Sequence, residues 1–303
     1  MEKVKLFTHT DLDGVVCGIL AKLAFKNVDI SYCNYDDINE EVEFLLKNSV
    51  EEYSKIYITD ISVNEEIANL IDSSCPEKVL LLDHHPTALN LNKFKWSSVK
   101  VSNKDKSKTC GASIYFKHLL SLGYLDVNNR LLQTFVERVR RYDTWEWERL
   151  NDKDAENLNN LLYLYGKNMF TVRFLVKILN NGPTLLNEVD LMILNVAEES
   201  KESYIRSKIE NIKVTEIDGY LVGVVFAEKH TSLLGSRLGK IYPKLDFFAI
   251  INMDKGTVSY RTSKENIDLG KFASNYGGGG HKASAGSPIS SSLIGEFINK
   301  IYN

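Results

Sequence analysis

A chain of 303 residues, 44% hydrophobic and 25% charged, has the make-up of a folded globular protein with room for two domains, which excludes wholesale disorder and an extended coiled coil. Its 37 basic and 40 acidic residues leave a formal charge of −3, which excludes a uniformly basic surface for duplex binding but leaves room for local basic patches. Cys17, Cys33, Cys75 and Cys110 form no CxxC pair, which speaks against a zinc ribbon or a disulfide framework; they are expected to be buried free thiols in a reducing compartment.

The first segment carries no stretch that resembles a signal peptide, and Lys22 interrupts the longest early apolar run, Val15 to Phe25. A cytoplasmic protein without a membrane partner is expected. From residue 3 to about 85, short runs rich in Val, Ile and Leu alternate with helical stretches at Gly14–Lys26, Asn39–Asn48 and Asn64–Ser74, the pattern of βαβ units on a parallel sheet. Residues 111–182 read as a helical extension, including Asn129–Tyr142 and Met169–Asn180, and end at the breaker Gly182-Pro183. Leu185 to about Ile212 reads as one long helix with a polar second half, a connector between domains. Strands are expected again at Tyr220–Ala227, Phe247–Met253 and Thr257–Thr262, with helices at Ser232–Ile241 and Leu269–Tyr276. The fold class is therefore α/β: a parallel-sheet domain over 1–184, a connector over 185–212 and a smaller α/β domain over 213–303.

Three of the early apolar runs end in groups that bind metals. Val4-Lys5-Leu6-Phe7 leads into His9-Thr10-Asp11-Leu12-Asp13, Lys55-Ile56-Tyr57-Ile58 leads into Asp60, and Val79-Leu80-Leu81-Leu82 ends in Asp83-His84-His85. In an open parallel sheet the carboxyl ends of the strands form the ligand-binding edge, so these residues are expected to converge. Asp11 and Asp13 alternate, and in an extended segment both carboxylates face one side. Each residue also has a structural reading: Asp13, before Gly14-Val15-Val16, suits a helix N-cap, and Asp60 a turn or cap. Adjacent His84 and His85 point in different directions, so one can bind metal while the other meets substrate. Tyr142-Asp143-Thr144-Trp145 adds a carboxylate after an amphipathic helix with Arg138, Arg140 and Arg141, where the plainer reading is a salt-bridged helix terminus.

Oxygen and imidazole ligands without thiolates suit Mn²⁺ first and Mg²⁺ second. Two such ions would activate a water and stabilise charge on phosphoryl oxygens, which fits phosphoester hydrolysis. Near the C-terminus, Tyr276-Gly277-Gly278-Gly279-Gly280-His281-Lys282-Ala283-Ser284-Ala285-Gly286 offers bare backbone amides beside a His and a Lys, suited to a phosphate. The small residues from Ala283 to Ala285 imply close packing rather than a slack turn.

Together these residues resemble the DHH phosphoesterase family. Asp11-Leu12-Asp13, Asp60, Asp83-His84-His85 and Asp143 match its four motifs in order, and Gly278-Gly279-Gly280-His281 resembles the signature of the DHH-associated C-terminal domain. The likeness spans nearly the whole chain. It implies that Asp11, Asp13, Asp60, His84 and Asp143 bind two metal ions, with Asp60 bridging. It also implies that His85 contacts the scissile phosphate or leaving group, that Asp83 supports the ligands from behind, and that Arg261 and the Gly278–His281 loop hold a terminal phosphate of the substrate. There is one departure: members with a complete dinuclear site often carry a His four residues before the first Asp, where this chain has Phe7, and His9 precedes Asp11 by two. His9 is therefore only an additional candidate ligand.

Within the family a two-domain form of this size resembles the nano-RNases. The resemblance implies a Mn²⁺-dependent phosphodiesterase that shortens single-stranded oligonucleotides, RNA foremost, to nucleoside monophosphates. Small phosphorylated nucleotides, namely 3′-phosphoadenosine 5′-phosphate and cyclic or linear dinucleotides, are the alternative substrates. A nucleotide-binding regulator with a vestigial metal site is the alternative of another class, and a homodimer is a further expectation.

Overall fold

The computed structural model describes residues 3–290 and, beyond them, Ser292, Gly295, Glu296 and Lys300; the expected domain ends Met1 and Asn303 lie outside the described residues. The chain divides into two compact units, Met1–Leu194 and Asn195–Asn303. The first contains β1 (Val4–His9), α1 (Leu12–Ala24), β2 (Val28–Cys33), α2 (Ile38–Asn48), β3 (Lys55–Thr59), α3 (Glu65–Ser74), β4 (Val79–Asp83), β5 (Ser97–Val99), α4 (Gly111–Ser121), α5 (Arg130–Asp143), α6 (Glu146–Leu150) and α7 (Lys153–Leu179). Helix α8 (Glu188–Glu210) comes next in the chain and passes the division.

The five strands of the first unit are all parallel, in the order β2-β1-β3-β4-β5. The period-two geometry of a strand sends alternate side chains to opposite faces, and the sequence supplies apolar groups for both. Val4, Leu6, Tyr57 and Leu82 enter a core built with α1, α4, α5 and α7. Phe7, Ile56, Ile58, Val79 and Leu81 enter a second core with α2 and α3. Phe7, at the place where the family pattern has a histidine, is thus a packing residue of that second core, 1% exposed. Full burial of each such side chain contributes roughly 1.5–3 kcal/mol.

Strand order sets the position of a crevice. The chain leaves β1 for β2 on one side and returns to place β3 on the other, so the connections diverge between β1 and β3. A crevice opens at the carboxyl ends of such strands.

Several boundaries differ from the sequence reading. Helix α1 begins at Leu12, because Asp11, and not Asp13, is its N-cap and accepts from the Gly14 amide at 3.1 Å. Residues 11–13 are therefore a helix entry and not an extended segment. Strand β2 escaped the reading because it is a half-buried edge strand with Asp29 and Ser31 inside it. Helix α7 breaks at Gly166, whose φ is 70°, so the last element of the helical extension is itself two helices in tandem.

The second unit contains β6 (Lys213–Ile217), β7 (Tyr220–Phe226), α9 (Thr231–Ile241), β8 (Phe247–Asn252), β9 (Thr257–Arg261), α10 (Leu269–Ser274), β10 (Gly279–His281) and β11 (Ser284–Pro288). Its six strands run in the order β10-β11-β9-β8-β7-β6, antiparallel except for the β7–β8 pair. The glycine run is not a loop throughout: Gly279 and Gly280 lie in β10 and pair with Gly286 and Ala285. All four cysteines are free and buried. Among the described residues no helix is long and apolar enough to cross a membrane.

Candidate metal centre

The carboxyl ends of β1, β3 and β4 bring His9, Asp11, Asp13, Asp60, Asp83, His84 and His85 to the crevice, and the last residue of α5 adds Asp143. Three sets of groups lie close enough to share a cation: His9, Asp11 and Asp60; Asp13, His84 and Asp143; and Asp60, Asp83, His84 and His85. Asp60 and His84 join the first two sets, with His84 Nε2 3.2 Å from Asp60 Oδ1, 3.7 Å from Asp143 Oδ2 and 3.9 Å from Asp13 Oδ2.

Asp60 is held in an unusual state. Its backbone is left-handed, with φ 58°, immediately after β3, and its side chain is buried. Non-glycine residues adopt this conformation at a cost, and aspartate tolerates it better than most. Oδ2 is buried with no hydrogen-bond partner. Burial, then the neighbouring Asp13 and Asp11 carboxylates, pushes the Asp60 carboxyl well above its ordinary range. Asp143 is pushed up to about 8 by burial and the same two carboxylates. Four carboxylates crowded without an arginine or lysine among them fit a divalent cation, which would supply the missing positive charge.

Asp13 is fixed by the helix that opens the expected helical extension at residue 111. Its Oδ2 and Oδ1 accept from the amides of Gly111 and Ala112, at 2.5 and 2.9 Å, at the start of α4. The positive end of that helix steadies the carboxylate. Only glycine fits at 111, since a Cβ there would come within 2.4 Å of Asp60 Cβ and 3.0 Å of Asp13 Oδ2. The one sequence signal was a cluster of small residues, Cys110-Gly111-Ala112-Ser113, at the start of an apolar helix.

His9 Nδ1 lies 2.9 Å from Asp11 Oδ2 but makes no hydrogen bond, an arrangement suited to two donors facing one ion. Burial alone would raise the Asp11 carboxyl, but the His9 ring overrides it and holds Asp11 below its ordinary value. The two histidines after β4 diverge. Burial lowers His84, against the pull of Asp13, so it is a neutral donor. His85 turns away, with Nδ1 2.8 Å from Asp83 Oδ1 and Nε2 3.3 Å from the Tyr35 hydroxyl. Asp83 is fully buried; its Oδ1 also accepts from the His84 amide and its Oδ2 from Ser62 Oγ. The Asp83 hydrogen bond raises His85. Tyr35, just beyond β2, is a second residue that sequence reasoning missed, for want of a recognised strand before it.

The salt-bridge reading of Asp143 is not realised. Arg140 pairs with Glu137 and Glu146, while Arg138 and Arg141 pair with Asp152. Asp143 is left facing His84.

In the second unit, Arg261, Ser284 and His281 stand at one register position on the neighbouring strands β9, β11 and β10, so their side chains share a face. Gly278 packs so closely that a Cβ would fall 2.0 Å from the Gly286 carbonyl oxygen, and Gly280, at φ 145°, is closed to other residues. Gly279 has open space around its Cα.

No family model matches the chain. It is 37% identical over 302 residues to the oligoribonuclease NrnB of Bacillus subtilis, a match covering 98% of this chain and 75% of the relative. The chain belongs to the DHH phosphoesterase family. This DHH protein is also 22% identical over 338 residues to a 3′,5′-cyclic-nucleotide phosphodiesterase of Helicobacter pylori, covering 95% and 93% of the two chains. Among solved structures it is similar to exonuclease RecJ bound to manganese, at 15% identity and a TM-score of 0.48, over 99% of this chain and 89% of that one.

Proposed function

We propose that this DHH protein is a metal-dependent phosphodiesterase that shortens single-stranded oligonucleotides, RNA foremost, to nucleoside monophosphates, with two Mn²⁺ ions or, second, Mg²⁺. The observation that carries the reading is the pair of three-ligand sets joined at Asp60 and His84, with a buried and unpartnered oxygen on Asp60. The name of the Bacillus subtilis relative supports the substrate class. Carboxylates with imidazoles suit Mn²⁺ better than a wholly hydrated Mg²⁺ site.

His9, Asp11 and Asp60 would hold one ion, and Asp13, His84 and Asp143 the other, with Asp60 between them. Bound there, the ions would activate water and neutralise phosphoryl charge. His85, raised by Asp83, carries a proton toward the leaving oxygen or grips the phosphate, and Asp83 fixes its tautomer. Arg261 and His281, with the amides of Gly278, Gly279 and Gly280, hold a terminal phosphate.

The test is product analysis with Mn²⁺, offering end-labelled RNA of two to five nucleotides beside 3′-phosphoadenosine 5′-phosphate and a cyclic dinucleotide. Stepwise shortening to monophosphates is expected. Exclusive turnover of either other substrate would move the protein to that activity. No turnover at all would overturn the hydrolase reading in favour of a nucleotide-binding regulator. Sedimentation of the full chain tests the expected homodimer.

A further inference from the structure

Beside His85 the first unit opens a cavity of about 280 Å³, near the lower end of the range for small-molecule sites. Its buried apolar surface is Val63, Ala88 and Leu91, and its polar surface includes Tyr35, Asn39, Asn64, Glu65 and, as a third amide, Asn90. The metal centre reaches it only through His85 and Asp83.

Two features say what chemistry it accepts. Among the described residues no lysine or arginine lines it, whereas the carboxylates of Asp83 and Glu65 do, so it disfavours a phosphate and favours a neutral group. The two amides are oriented by backbone donors: Asn39 Oδ1 accepts from the Asn64 amide at 2.8 Å and Asn64 Oδ1 from the Ile67 amide at 2.9 Å. One lone pair of each oxygen is thus taken and each side chain held in place, and no bond occupies either N–H₂ among the described residues, so both can donate to a ligand. Glu65 is an acceptor whose partner Lys93 is a surface residue, and exposed pairs of this kind yield readily to a ligand.

We propose that this cavity seats the nucleobase of the nucleotide on the His85 side of the scissile phosphate, and that its preferred occupant is guanine. Guanine presents the acceptors O6 and N7 to amide donors, and its ring N–H and exocyclic amine to a carboxylate. Adenine reverses the polarity at the position corresponding to O6 and meets the Asn donors with its own N–H₂. Tyr35 stands at the mouth, where an exposed aromatic ring can stack on a base. The proposal rests on the hydrolase reading and adds base selectivity to it.

The experiment is Mn²⁺-dependent hydrolysis of 5′-phosphorylated dinucleotides with guanine or adenine at each of the two positions, by the wild-type chain and by Glu65→Gln and Asn90→Ala. Glu65 and Asn90 are both exposed at the rim, so these variants fold. Guanine at one position only is expected to raise kcat/KM about tenfold over adenine, and Glu65→Gln to shrink that ratio severalfold. Asn90→Ala, at the same rim, should lower kcat/KM for the dinucleotides with guanine at that position more than for those with adenine. A base-blind wild type, or a preference undiminished in Glu65→Gln, would overturn the proposal. If the wild type turns over no dinucleotide, the hydrolase reading falls separately. The cavity is then tested by titrating guanosine or adenosine and monitoring the side-chain amide resonances of Asn39, Asn64 and Asn90. Shifts with guanosine alone support it, and none with either nucleoside overturns it.

Discussion

Asp60 meets two demands in one side chain: a left-handed backbone turns it back over the end of β3, and burial leaves one of its oxygens without a partner. Gly111 makes room for that turn. Replacing it with Ala would force α4 away from Asp60 and Asp13, at a cost of about 1–3 kcal/mol in stability. A fall of roughly 10–100-fold in Mn²⁺ affinity is expected, since Gly111 supports the ligands from behind; calorimetric titration measures it. Asp83→Asn acts elsewhere, on His85. Removing the negative partner lowers the His85 pKa, so the alkaline limb of the kcat profile should move to lower pH. An unmoved limb would free His85 of any role as proton donor. The acidic and histidine residues other than Asp143 were legible in the sequence because each comes after an apolar run at a strand end, and Asp143 because it ends an amphipathic helix. Gly111 and Tyr35 were not, because their partners are far away in the chain and only the folded crevice brings them close.

Helix packing shows how the extension is held. Asp190, in the first turn of α8, is fully buried and pairs with Arg173 and Lys177 of α7 and with the Tyr165 hydroxyl. It also closes a reciprocal pair of hydrogen bonds with Asn187 at the start of the helix. Burial alone would raise this carboxyl, but the Asn187 amide, Lys177 and Tyr165 hold it at about 2. A carboxyl with a depressed folded pKa contributes stability that is present above its unfolded value and lost as pH falls toward 2. Asp190→Ala, which leaves two half-buried cations without their partner, should cost about 1–3 kcal/mol at neutral pH in denaturant unfolding. A loss below 1 kcal/mol would mean the pair is replaced by solvent. The helices themselves were legible from their periodicity, whereas the break at Gly166 was not, since one glycine inside an apolar pattern reads as a tolerated residue. The paired strand β10 was hidden for the opposite reason: glycines carry no strand signal of their own, and only the register with β11 defines them.

Across the whole molecule, metal and protons compete for the same carboxylates. Asp60 and Asp143 titrate above their unfolded range, so with the metal removed by chelation these two carboxyls bind more protons in the folded chain than in the unfolded one. The Asp143 contribution is present at low pH and lost as pH rises from about 4 through about 8. Metal displaces those protons, and the gain in Tm on adding Mn²⁺ should grow from about pH 6 to about pH 8. An equal gain at both would uncouple these carboxylates from the ion. The α/β class and the order of motifs were readable from alternating apolar runs. The strand order that opens the crevice between β1 and β3 was not, because pairing is decided in space.

Whether Asp60 joins two ions is decided by Mn²⁺ titration read by electron paramagnetic resonance, with a non-hydrolysable dinucleotide at saturation. Two ions per chain with an exchange-coupled signal are expected in the wild type, and loss of the coupling in Asp60→Asn. One uncoupled ion at saturation in the wild type would rule out the bridge.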